Sequence, residues 1–152
     1  MMMELLFPES LLITPNSLEA RQLVSNGEVL SDLTIDVCAD HFKEMGCKNI
    51  LITGTHENTE SVINTLYSSS NQIIPYHWDR LPGNYHGSGC TLTAAISAYY
   101  ALGLSIDEAV EEAQHFTWQT LKNGYKPGMG QLIPNRFFRN NDFEDDGKFT
   151  HH

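Results

Sequence analysis

The residues best suited to chemistry form one run, Tyr85-His86-Gly87-Ser88-Gly89-Cys90-Thr91. Two glycines spaced two apart allow a sharp backbone turn that gathers N–H groups. The small and apolar residues that follow predict a helix over 92–100, whose start adds unpaired N–H donors and the positive end of its dipole. A corner of this kind binds anions, phosphate above all. Cys90 lies at the same corner, where the thiolate form of a cysteine is favoured. The same pattern also serves a tight loop that needs glycine only for its turn, and a cysteine is often a small buried hydrophobe. His86, four residues before Cys90, leaves a Cys–His nucleophilic pair open, although such pairs meet through the fold and not through sequence adjacency.

A second set of candidates lies earlier. Asn16 and Glu19 are three apart at an expected helix start, which suits a helix-capping carboxylate as well as a ligand-facing one. His56 follows the turn glycine Gly54 and reads equally as a solvated turn residue or as a contact to a ligand. Trp78, after His77 at the end of a strand, reads as core. Tyr125 and Met129 belong to a late glycine-rich loop with Gly128 and Gly130. His151 and His152 alone make a poor metal site.

The elements that must position these residues follow from periodicity and punctuation. A short apolar strand over 11–13 is expected to stop at Thr14-Pro15, because proline interrupts a ladder. Asn16 or Ser17 can cap a helix to about residue 25, with Gly27 beyond it. Ile35, Ala39, Phe42 and Met45 give a helix over 34–45 one apolar face, and Gly46 closes it. Strands follow over 49–52, 62–67 and 72–78, the last two joined by the turn Ser68-Ser69-Ser70-Asn71. The helix over 92–100 is apolar over most of its surface and is expected to be central and buried. Ser105 and Glu108 form a capping box, and Ile106, Ala109, Val110, Ala113, Phe116 and Thr120 share one face of the last helix. Strands alternating with helices indicate an α/β fold with a hairpin on one side of the sheet.

Length and composition set outer bounds. The 152 residues suit a single domain over 1–140, followed by an acidic tail over 141–152 that holds Asp142, Glu144, Asp145 and Asp146 and is expected to be flexible. A hydrophobic fraction of 41% is enough for a packed core. The net charge of −10 argues against nucleic acid as a partner, because binding it needs a basic face. Cys38, Cys47 and Cys90 are odd in number and follow no zinc spacing, which points to a reduced, cytoplasmic setting. The start, from Met1 to Pro8, lacks the basic region and long apolar core of a signal peptide, and no stretch approaches a membrane span.

Four stretches, in order, resemble one family. Leu11-Leu12-Ile13-Thr14-Pro15-Asn16-Ser17-Leu18-Glu19-Ala20 is similar to the strand, Thr-Pro-Asn turn and Asn-x-x-Glu motif of the hydroxymethylpyrimidine and phosphomethylpyrimidine kinases, members of the ribokinase-like superfamily. Met45-Gly46-Cys47-Lys48-Asn49-Ile50-Leu51-Ile52 resembles their next helix end and strand. Gly87-Ser88-Gly89-Cys90 resembles their anion-hole motif, and 124–138, with Gly128, Gly130 and Pro134, their C-terminal glycine loop. The resemblance implies the C-terminal, nucleotide-binding half of a ribokinase-like three-layer sandwich. About the first half of a family member is expected to be absent. Relatives read Lys-Gly-Gly-His where this chain has Thr53-Gly54-Thr55-His56, so the lysine that reaches the transferred phosphate is replaced.

The same resemblance implies ATP and Mg2+ as cofactors. It gives Gly87, Ser88, Gly89 and Cys90 the catalytic role, with the amides stabilising the migrating phosphoryl group and Cys90 as the base. It assigns Asn16, Glu19, Thr53, Gly54, His56 and Met129 to the nucleotide and Glu19 to the metal. The implied substrate is a pyrimidine alcohol or its phosphate, with a pyridoxal-type substrate not distinguished, and the implied partner is a second copy or a chain supplying the other half. Two rival readings are a nucleotide-binding remnant without turnover, and a cysteine hydrolase built on His86 and Cys90 that lacks a visible third group.

Overall fold

The computed structural model describes residues 5–25 and 33–139. The expected Gly27 helix end, the opening methionines, the acidic tail and the terminal histidines lie outside the described residues. The chain divides into two compact units, Met1–Arg80 and Leu81–His152.

The first unit holds α1 (Ser17–Val24), α2 (Ile35–Glu44), β1 (Ile50–Ile52), β2 (Ser61–Tyr67) and β3 (Ile73–Asp79). The three strands form an antiparallel sheet in the order β1-β2-β3, with Ile52 opposite Thr65 and Val62 opposite Trp78. The serine turn joins β2 to β3: Ser68 N–H donates to the Gln72 carbonyl and Asn71 N–H to the Ser68 carbonyl. Asn71 has φ 61°, a left-handed conformation that asparagine tolerates better than most residues.

Beside β1 the chain 13–17 runs parallel to 49–53. Ile13 N–H donates to Asn49 O, Leu51 N–H to Ile13 O, Thr53 N–H to Pro15 O and Ser17 N–H to Thr53 O. The rung that Pro15 would donate is the one that is missing, since proline has no N–H. Contrary to the expectation from sequence, Pro15 does not end the ladder. It deletes one rung, and its carbonyl carries the pairing onward to Thr53.

The core of this unit forms where α2 turns Cys38, Ala39 and Phe42 onto Ala20, Cys47, Ile50, Ile52 and Tyr67. Each large apolar side chain buried this way contributes about 1.5–3 kcal/mol. Phe7 meets Phe42 edge to face, with ring centroids 5.7 Å apart. Tyr67 is buried, and its hydroxyl donates to Asp36, which removes the cost of an unpaired buried donor.

The second unit is built on α3 (Ser88–Ala101) and α4 (Ile106–Lys122), packed on each other. α4 is capped as its sequence indicates: Ser105 N–H donates to Glu108 Oε2, and Glu108 N–H to Ser105 Oγ. Its buried residues are Ala109, Val110, Ala113, Gln114, Thr117 and Thr120, so the inward stripe is more polar than expected, with Phe116 only half-buried. α3 departs from expectation in two ways. It begins four residues early, at Ser88. It buries only Thr91, Leu92, Ala95 and Ile96, while Ala94, Ala98 and Tyr100 are exposed. In this structure it is a one-sided helix and not a buried central one. No helix among the described residues is long and apolar enough to cross a membrane.

Candidate functional site

Each unit holds one cluster of the candidate residues. In Leu81–His152 the cluster is the start of α3. Gly87 is its N-cap, with φ +85° and no side-chain cap. That left-handed φ is what glycine supplies here. Gly89, by contrast, lies inside the first helical turn, so the corner turns on one glycine and not two. A single left-handed residue suffices to bring the chain into helical register. The first helical bond is Thr91 N–H to Gly87 O at 3.0 Å. Among the described residues, the N–H groups of Ser88, Gly89 and Cys90 have no acceptor. Three aligned donors at the positive end of a fourteen-residue helix therefore face outward. Cys90 is in this turn, free and exposed.

The glycine-rich loop is held close to this corner by backbone pairing. Tyr125 and Ile133 exchange N–H···O bonds, Leu132 N–H donates to Asn84 O, and His86 N–H donates to Leu132 O. Met129, at the tip, is fully exposed. His86 is thus tied to Leu132, and among the described residues no hydrogen bond joins it to Cys90. Sequence reading missed Arg136, whose Nε donates to Thr91 Oγ1 at 3.0 Å across 45 residues of chain. Only its charge, rare in a chain with nine basic residues, could have drawn attention to it.

In Met1–Arg80 the cluster forms around the pairing of Asn16 with Thr53. Asn16 caps α1: its Oδ1 accepts from Glu19 N–H, and Glu19 Oε2 accepts from Asn16 N–H, each at 2.9 Å. The capping role of Glu19 is therefore present, and Oε1 of this exposed side chain is left without a partner among the described residues. Gly54 N–H donates to the buried Asn64 Oδ1 at 3.0 Å, a contact that sequence reading also missed. The loop beyond it is pinned from two sides. Arg80 donates to the carbonyls of Thr55, Glu57 and Thr59 at 2.8, 2.9 and 3.2 Å. Arg21 pairs with Glu57 at 2.6 Å and holds its carboxyl below the usual range. His56 is exposed on this loop.

No group of three or more metal-ligating side chains occurs among the described residues. A single free carboxylate oxygen fits magnesium, which takes one or two carboxylates and completes its shell with phosphate oxygens and water. It does not fit a cation caged by protein alone.

The model of the phosphomethylpyrimidine kinase family matches residues 1–135. The chain belongs to that family. A hydroxymethylpyrimidine/phosphomethylpyrimidine kinase of Bacillus subtilis is 32% identical over 136 residues, which are 88% of this chain and 49% of that protein. Among solved structures, the pyridoxal kinase of Staphylococcus aureus in complex with AMP-PCP superposes with a TM-score of 0.80 at 29% identity, over 89% of this chain and 50% of that one. An ADP complex of Bacillus subtilis pyridoxal kinase gives 0.79 at 28%, over 90% and 51%. The fold of this phosphomethylpyrimidine kinase family member is thereby α/β and ribokinase-like. It spans about half the length of the curated relatives it matches.

Proposed function

We propose that this chain is the nucleotide-binding part of a kinase that transfers the terminal phosphoryl group of ATP to a hydroxymethylpyrimidine or its phosphate. The observation that carries the reading is the start of α3. Three acceptor-free amides and an exposed thiol share one helical turn in a chain of this family. Phosphoryl transfer asks a protein mainly for positioning and for charge placed around the migrating group. The amides of Ser88, Gly89 and Cys90 stabilise negative charge on the equatorial oxygens. The Cys90 thiolate accepts the proton from the substrate hydroxyl as its oxygen attacks phosphorus. Glu19 Oε1 is the donor for magnesium, which neutralises phosphate charge when bound. Thr53, Gly54 and His56 lie on the turn assigned to the nucleotide, and Met129 on the loop assigned to it. A cytoplasmic setting agrees with the three free cysteines.

Thr53 favours a second reading, nucleotide binding with little turnover. A hydroxyl donates one neutral hydrogen bond where relatives place a charge, and the charge-assisted bond is roughly twice as strong. A pyridoxal-type alcohol is the competing substrate, because the solved neighbours include pyridoxal kinases. The deciding assay follows ADP release by the purified chain with magnesium ATP and hydroxymethylpyrimidine or pyridoxal in parallel. ADP release that depends on the alcohol substrate supports the first reading, and rates of ~1–100 per second would show that the chain needs no other half. Saturable ATP binding without ADP release supports the second.

A further inference from the structure

Arg136 is tied to the α3 corner by contacts that lie outside the glycine motif. Its Nε donates to Thr91 Oγ1 at 3.0 Å. Thr91 Oγ1 donates in turn to Gly87 O at 2.8 Å. That carbonyl also accepts the first helical N–H, from Thr91 itself. The Arg136 Nη2 stands 3.5 Å from the point a Cβ on Gly87 would occupy. The guanidinium therefore lies against the left-handed residue that precedes the three open amides. Among the described residues no carboxylate pairs with it.

A guanidinium anchored through Nε keeps its terminal N–H groups in a fixed fork, the geometry that matches two oxygens of one phosphate. We propose that Arg136 is a phosphate-binding and positioning residue of this corner. Nε fixes the Thr91–Gly87 turn, and the terminal nitrogens hold phosphate oxygens beside the amides of Ser88, Gly89 and Cys90. The proposal rests on the nucleotide reading above.

The test compares magnesium ADP with adenosine, which carries base and sugar but no phosphate, on the full chain and on its Arg136→Gln and Arg136→Lys variants. Arg136 is exposed, so the expected loss is about tenfold in ADP affinity for the glutamine variant, the low end for a hydrogen bond to a charged group. Lysine should lose less, and adenosine affinity should change by less than about twofold, the selectivity that a contact to phosphate alone predicts. Equal ADP binding by wild type and Arg136→Gln overturns the proposal. Parallel loss of ADP and adenosine also overturns it, because the role is then structural. A wild-type chain that binds neither ligand overturns the nucleotide reading itself.

Discussion

The carbonyl oxygen of Ile63 occupies the space that a Cβ on Gly54 would need. The close approach exists because Gly54 N–H reaches into the neighbouring strand to Asn64 Oδ1. Glycine is required here for room and not for an unusual φ. Gly54→Ala should therefore destabilise the chain by about 2–3 kcal/mol, the cost of forcing a methyl group into closely packed backbone. Urea unfolding measures this, and an unchanged midpoint would contradict the contact.

Cys90→Ala should abolish phosphoryl transfer while leaving nucleotide affinity nearly intact. Loss of a general base costs ~10²–10⁴ in rate, and the backbone amides proposed to bind the anion survive the substitution. ADP release and ADP titration on the same preparation separate the two effects. A variant with full turnover would show Cys90 to be a structural residue.

The three thiols should differ in reactivity. Cys90 is exposed, whereas Cys38 and Cys47 are buried, and burial pushes Cys47 up to about 11 and Cys38 upward as well. Only the thiolate attacks a disulfide reagent. A chromogenic disulfide at pH 8 should find one fast thiol in the native protein and three after denaturation. Three fast native thiols would contradict the burial.

Alkaline pH should destabilise the Met1–Arg80 unit. Burial raises Cys47, and burial with the hydrogen bond to Asp36 raises Tyr67. Both groups are neutral in the fold, and the unfolded chain releases its protons first. For the thiol, stability is complete below its ordinary pKa near 8.5 and is lost as pH rises towards about 11. The phenol adds its loss from about pH 10 upward. The slope is up to about 1.4 kcal/mol per pH unit for each titrating group. Urea melts from pH 8 to 11 should show the decline, and Cys47→Ala should flatten its lower part. A pH-independent midpoint would exclude the linkage.

Local signals carried well from sequence to structure. The Ser105–Glu108 capping box and the Ser68–Asn71 turn form as read, and of the two caps open to α1, Asn16 and Ser17, Asn16 is the one used, because each is decided by side chains within four residues. The Gly87–Cys90 corner was legible for the same reason, although the helix starts at Ser88 and only Gly87 turns left-handed. Pro15 was misread because a parallel ladder can lose one donor and continue through the carbonyl. The breadth of α3's buried face was misread because composition reports how apolar a helix is, not how much of it is covered. Arg136 and Asn64 were invisible because their bonds to Thr91 and Gly54 are set by tertiary approach.

A helix that begins at a glycine without a side-chain cap is a segment whose termination is delegated. Most helices carry their own stop for the first turn; α4 does so with Ser105 and Glu108. On the proposed reading, α3 leaves that function to a bound phosphate, and the ligand would then act as part of the secondary structure it touches. By mass action, an anion at a hundred times its dissociation constant adds about 2.7 kcal/mol to the folded state. With that site occupied, the melting temperature of this chain would become a readout of the anion concentration around it.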